Sequence, residues 1–354
     1  MQSGADFGWL FHLLSIDYFI MKPFIERIAE DRPMLYDGGF GSQLFERGIE
    51  LTNSTLANEE HPDAVVEVHR AYIEAGVDAI GSNTFVSSEL HLEMAGKDPT
   101  AAGELATKAA QLARRAVEES ERAVYVAGSI GPSPGAIESD TGDTTFGIAD
   151  VKVRDAHTRV VNALVEGRVD FFVIETQFSA KEAAMACNIA RQAGLPIAIN
   201  LTLKYTKDRK TGDVIYKTDW GHSPADLIDI LASGDFSNGE NLLDYVHIIG
   251  LNCCAETRRV EHTGMPHALI GGEQIQRALQ ERGQTKRIMT YPNAGMPQLD
   301  SQHRTYYSQT PEDMAAHIPT LLDNGIFFLG GCCGTTPDHI RAFRQAMDAH
   351  TSPS

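Results

Sequence analysis

Short apolar runs rich in β-branched and aromatic residues alternate with longer stretches of helical periodicity along most of the chain. The runs fall at residues 34–36, 77–81, 123–127, 170–174, 197–201, 246–251, 287–291 and 326–329. Helical patterns lie between them at 62–75, 102–120, 151–167, 180–193, 224–232, 271–282 and 311–324. Pro62, Pro224 and Pro311 sit where a first helical turn accepts proline, and Gly76 and Gly325 sit where helices stop. Eight strand–helix units predict an α/β fold, a single-domain (β/α)8 barrel over residues 31–349. The rival is a doubly wound open sheet. No G-x-G-x-x-G follows the first strand, which weakens its dinucleotide-binding version. Residues 1–30 read as an N-terminal extension and helix, and 350–354 as a tail. The hydrophilic segment 204–222 carries Tyr205, Tyr216 and Trp220 and predicts a hairpin or lid after strand five.

The chain's 354 residues carry a formal charge of −18, which disfavours nucleic acid and anionic membranes as partners. The apolar stretch 9–21 is short for a membrane span and is interrupted by Asp17. No Lys or Arg precedes it, as a signal peptide requires, so a cytoplasmic protein is expected, with Met21 a candidate start. The five cysteines are Cys187, Cys253, Cys254, Cys332 and Cys333, and two adjacent pairs make a poor disulfide framework. A reducing compartment suits them. Oligomeric state, including a homo-oligomer, is left open.

Barrel active sites collect at the C-terminal ends of the strands. Those ends are Asp37-Gly38-Gly39, Ser82-Asn83-Thr84, Gly131-Pro132, Glu175, Asn252-Cys253-Cys254, Pro292 to Gly295, and Gly330 to Gly334 around Cys332 and Cys333. Adjacent cysteines among glycines can bind one ion, because Gly330, Gly331 and Gly334 permit an unusual backbone. With Cys253 or Cys254 they form a three-thiolate set that suits zinc and leaves a fourth position open. Burial as small apolar side chains is the other reading, and for Cys187 in its helical run it is the preferred one. An open position beside thiolates favours a thiol substrate over water, and no H-E-x-x-H is present. Glu175 ends the run FFVIE, where a carboxylate needs a reason. Glu175 and Asp37 would bind a substrate ammonium or make rim salt bridges. Gly38 and Gly39 would offer N–H groups to a substrate carboxylate or simply form a tight turn.

Together the segments DGGFGSQL (37–44), AGVDAIGSNTF (75–85), GSIGP (128–132), VDFFVIET (169–176), GLNC (250–253), PNAG (292–295) and GGCCGTTPDHI (330–340) resemble the homocysteine S-methyltransferase family over roughly residues 30–345. The resemblance implies an enzyme, a zinc-bearing barrel that methylates homocysteine to methionine. It carries the Zn²⁺ ligand role onto Cys253, Cys332 and Cys333. It carries amino-acid binding onto Asp37, Gly38, Glu175, Ser82 and Thr84. The favoured donor is a small onium, an S-methylmethionine-like sulfonium. Betaine and a partner methyl-corrinoid protein are the alternatives, as is another acceptor thiol or a selenol such as selenocysteine. A zinc-binding or corrinoid-partner module without turnover is the non-enzyme alternative. Leu56, Val86 and Thr176 replace the aromatic cage expected for betaine, and Tyr205, Tyr216 or Trp220 would have to supply another.

Overall fold

A computed structural model describes residues 21–253, 259–299, 301 and 305–351. Each apolar run becomes a strand: β1 (Met34–Leu35), β2 (Ala79–Gly81), β3 (Tyr125–Ile130), β4 (Phe171–Gln177), β5 (Ile197–Leu201), β6 (Val246–Asn252), β7 (Arg287–Tyr291) and β8 (Ile326–Leu329). The strands pair in parallel in the order β1-β8-β7-β6-β5-β4-β3-β2. With helices outside, this is the predicted (β/α)8 barrel.

The seam between β1 and β2 is bridged by carboxylates. Leu35 N–H donates to Asp78 Oδ2 at 2.8 Å, and Asp78 N–H donates to Leu35 O at 2.7 Å. At the upper end Gly81 N–H donates to Asp37 Oδ2 at 2.8 Å. Side chains thus satisfy backbone groups that a two-residue strand leaves unpaired.

Strand period divides the core in two. Met34, Tyr36, Phe171, Val173, Met289 and Tyr291 point into the barrel. Leu35, Phe172, Ile174 and Ile288 point outward against the helices. The helix Phe24–Ala29 closes the N-terminal mouth. Its Phe24 stacks on Phe171 with ring centroids 3.7 Å apart and meets Tyr125 edge-on at 5.1 Å. The opposite, C-terminal mouth is left for polar side chains.

Several helix bounds differ from expectation. The helix Gly264–Glu281 starts seven residues before the expected 271. Gly271 and Gly272 do not break it, because they are buried where the helix meets Leu251 and Ile326 and no side chain fits. The expected helix 311–324 is two, Pro311–Ala315 and Ile318–Asp323. Segment 204–222 contains the predicted hairpin, Lys204–Lys207 paired antiparallel with Val214–Lys217. A second hairpin, Pro297–Leu299 with Thr305–Tyr307, follows β7. Among the described residues no helix is long and apolar enough to cross a membrane. Residues 1–20 lie outside the described residues, as do 352–354 of the expected tail 350–354, and His350 and Thr351 belong instead to the helix Pro337–Thr351.

Candidate functional site

Cys253 follows β6 and Cys332 and Cys333 follow β8, so two strands two places apart in the barrel deliver three thiols to one spot. Their sulfurs lie within 4.8 Å of one another, with Cys253 and Cys332 at 3.3 Å. Backbone bonds to the end of β7 hold them. Cys253 N–H donates to Tyr291 O at 3.2 Å and Cys332 N–H to Pro292 O at 2.9 Å. Cys333 N–H donates to the Asn293 side chain at 3.1 Å. Of the three glycines around the pair, only Gly334 takes a left-handed backbone, φ +79°. Gly330 and Gly331 are required by close packing on Tyr36 and Thr335.

The donor set fits zinc. Thiolates about 2.3 Å from a tetrahedral ion stand roughly 3.8 Å apart, inside the spread found here. Hydrogen bonds from Cys253, Cys332 and Tyr307 hold the Cys333 thiol well below its ordinary pKa. Cys332, a donor to its neighbours, is pushed well above. Cys254, the other candidate from β6, lies outside the described residues. Cys187 is fully buried, its thiol pushed up to about 12 by desolvation, as a core residue should be.

Glu175 faces the thiols from β4. The β4–β5 register shifts between Ile174 and Gln177, so one extra residue bulges from β4 at this point. The next residue, Thr176, has φ +55°, rare for a β-branched side chain. Asn252 holds it there through two bonds, Thr176 N–H to Oδ1 and Nδ2 to Thr176 Oγ1, both 2.7 Å. Ser129 donates its hydroxyl to Glu175 Oε1, and Tyr291 donates to Oε2 at 3.3 Å. Burial nevertheless pushes the Glu175 carboxyl up to about 7. The carboxylate is costly until a cation joins it.

A cavity of about 230 Å³ is lined by Asp37, Gly38, Ser82, Glu175 and all three thiols, so most of the expected site residues do converge. Asp37 is buried and already accepts Gly81 N–H, and burial raises its pKa well above the usual carboxylate range. Two expected contacts differ. Thr84 stands behind the wall, donating to Ser129 O at 2.6 Å and bonding Ser82 Oγ at 2.8 Å. Gly39 N–H is taken by Thr335 Oγ1 at 3.0 Å, and its neighbour Gly38 abuts Thr335 and Tyr72. The aromatics proposed for a cage stay away from the cavity. Tyr216 is fully buried, its hydroxyl 2.8 Å from His262 Nδ1. Tyr205 has the Arg259 guanidinium over its ring at 4.9 Å, and Trp220 is exposed. Phe40 and Phe85 line the cavity instead.

The sequence reading placed Asn252 at the rim without a role and did not single out Ser129, Tyr291 or Tyr307. Ser129 and Tyr291 have strand period as a signal, since Ser129 follows the inward Tyr125 and Ala127, and Tyr291 the inward Met289. A wider groove between the helices Ala102–Glu118 and Asp150–Glu166 lies outside the barrel, away from the thiols.

The family model described as homocysteine S-methyltransferase matches residues 34–347. Methionine synthase of Mycobacterium leprae (strain TN) is 30% identical over 344 residues, covering 91% of this chain and 25% of that protein. The chain therefore spans about a quarter of the length of this relative. The metallated form of the homocysteine methyltransferase MmuM from Escherichia coli superposes with a TM-score of 0.65 at 22% identity, covering 91% of this chain and 99% of that one. Its apo form gives 0.59 at 23% identity, covering 92% and 99%. These two likenesses speak for the fold.

Proposed function

The chain belongs to the homocysteine S-methyltransferase family, and on that premise we propose that it transfers a methyl group to the sulfur of homocysteine, giving methionine. The observation that carries the reading is the placement of three thiols and the Glu175 carboxylate on one small cavity. Cys253, Cys332 and Cys333 would hold Zn²⁺. The ion, when bound, favours the thiolate form of a thiol at its open position near neutral pH.

The remaining work falls to the chain's own side chains. Glu175, held by Ser129 and Tyr291, receives the ammonium of the amino-acid substrate. Asp37, held by Gly81 N–H, and the Gly38 turn line the cavity beside it and shape the pocket for the rest of the substrate's amino-acid end. The acceptor thiol gives its proton to solvent. Its sulfur forms a bond to the donor methyl carbon as the bond from that carbon to the donor breaks, the electron pair staying with the leaving group. Fixing the acceptor in line with the methyl supplies much of the rate. An S-methylmethionine-like sulfonium is the donor we favour. The rings of Phe40 and Phe85 on the cavity suit a cation. Among the described residues no disulfide joins the cysteines, and reduced thiols suit a cytoplasmic location.

A second reading, delivery by a methyl-carrying partner protein, draws support from the methionine synthase likeness. It also draws on exposed Phe146, Val260, Leu299 and Tyr306, which lie in the connections after β3, β6 and β7. A donor panel separates the two. Zinc-loaded chain, homocysteine and each donor in turn are assayed for methionine by mass spectrometry. Methionine with S-methylmethionine supports the first reading, and methionine only with a methyl-corrinoid protein supports the second. No methionine with any donor defeats the assignment.

A further inference from the structure

Tyr307 ends the second strand of the hairpin Pro297–Leu299/Thr305–Tyr307, far in sequence from β6 and β8. Its ring lies over Gly334, where a Cβ would be driven into the ring. A glycine directly after Cys333 is thus the seat of this tyrosine. The hairpin base is pinned to the barrel. Gln309 N–H donates to Ala294 O at 3.0 Å, Met296 N–H to Ser308 Oγ at 3.2 Å, and His339 Nε2 meets Gln309 O at 3.1 Å. Tyr306, next door, is 47% exposed and turns away. The fold therefore delivers one phenol, from a well-anchored hairpin, to the thiol cluster, and it is hydrogen-bonded to Cys333.

We propose that Tyr307 is a positioning residue of the thiol centre, its phenol donating a hydrogen bond to Cys333 Sγ that fixes the direction of this sulfur and draws charge from it. The inference builds on the metal reading above. Seated on Gly334, the phenol offers its O–H beside the sulfur, which accepts. A hydrogen-bonded thiolate gives less charge to a metal than a bare one. The bond thereby sets how electron-rich the centre is, without Tyr307 touching a substrate.

The test uses Tyr307→Phe, which keeps the ring on Gly334 and removes only the hydroxyl. Wild type and variant are loaded with Co²⁺ as an optical probe. The sulfur-to-cobalt charge-transfer band is expected to move to lower energy in the variant. Zinc release to a chelator is expected to change severalfold, with circular dichroism unchanged. An unshifted band together with unchanged zinc release overturns the proposal. A wild-type chain that binds neither ion would defeat the metal reading instead. The proposal is then decided on metal-free protein by iodoacetamide labelling located by peptide mass. Slower labelling of Cys333 in Tyr307→Phe supports the bond, and equal labelling overturns it.

Discussion

Asn252 grips Thr176 at both of its polar ends, accepting its N–H and donating to its hydroxyl, each at 2.7 Å. The two residues stand at the tips of strands that do not pair with each other, β4 and β6. Each adjoins a site residue: Glu175 precedes Thr176, and Cys253 follows Asn252. Thr176 and Cys253 both have left-handed backbones, φ +55° and +59°. The grip ties the Glu175 side of the cavity to the Cys253 side, and it holds two left-handed backbones that free loops would release.

Replacing Asn252 by Ala is expected to cost about 2–4 kcal/mol, since it strands a buried N–H and a buried hydroxyl. Urea unfolding measures the loss. Amino-acid binding should weaken in the same variant, because Glu175 is no longer aimed. Wild-type stability together with wild-type affinity would show that the grip is idle.

Phe24 belongs to the barrel although it precedes the first strand. Its stacking on Phe171 closes the lower mouth. Phe24→Ala should lower stability by roughly 3–5 kcal/mol in thermal or urea unfolding. At temperatures where the variant is folded, methyl transfer should be unchanged, since the site lies at the other mouth.

The Glu175 carboxyl, pushed up to about 7 by burial, gives substrate binding a pH dependence. An ammonium needs the charged form. Affinity for methionine, which has no thiol proton to lose, should be full above about pH 7 and fall roughly tenfold per pH unit below it. Ser129→Ala should move the midpoint up, because the hydroxyl favours the carboxylate. Glu175→Gln should bind weakly and lose the midpoint near pH 7. Calorimetric titration of the three proteins checks all of this.

Cys333→Ala should reduce zinc affinity by at least about 100-fold, more than loss of a second-layer partner usually does. Circular dichroism should be unchanged, because the thiol is not part of the barrel core. Zinc content after dialysis against a chelator is the measurement.

Much of this molecule is written in its periodicity. The runs around Phe171 and Ile197 announce buried parallel strands because both faces are apolar. Inward Tyr125 and Ala127 point ahead to Ser129. Bulges and side-chain clamps are written less openly. Nothing in VIETQ marks Thr176 as left-handed, since a threonine takes that backbone only when a partner such as Asn252, 76 residues later, compels it. Thr84 looks like a rim hydroxyl, yet its carbonyl partner on β3 turns it into the wall. Tyr216 looks like a lid aromatic, and the hairpin folds it under against His262 and His267. Tyr307 sits in a polar stretch with no pattern, and only the hairpin's return brings it to Cys333.

The central claim is that three cysteines hold zinc with a position left for a substrate thiol. X-ray absorption at the zinc edge, on the loaded chain with and without homocysteine, tests it most directly. Three sulfur neighbours should become four when homocysteine is added. A sulfur count that stays the same on saturation with homocysteine would contradict the account.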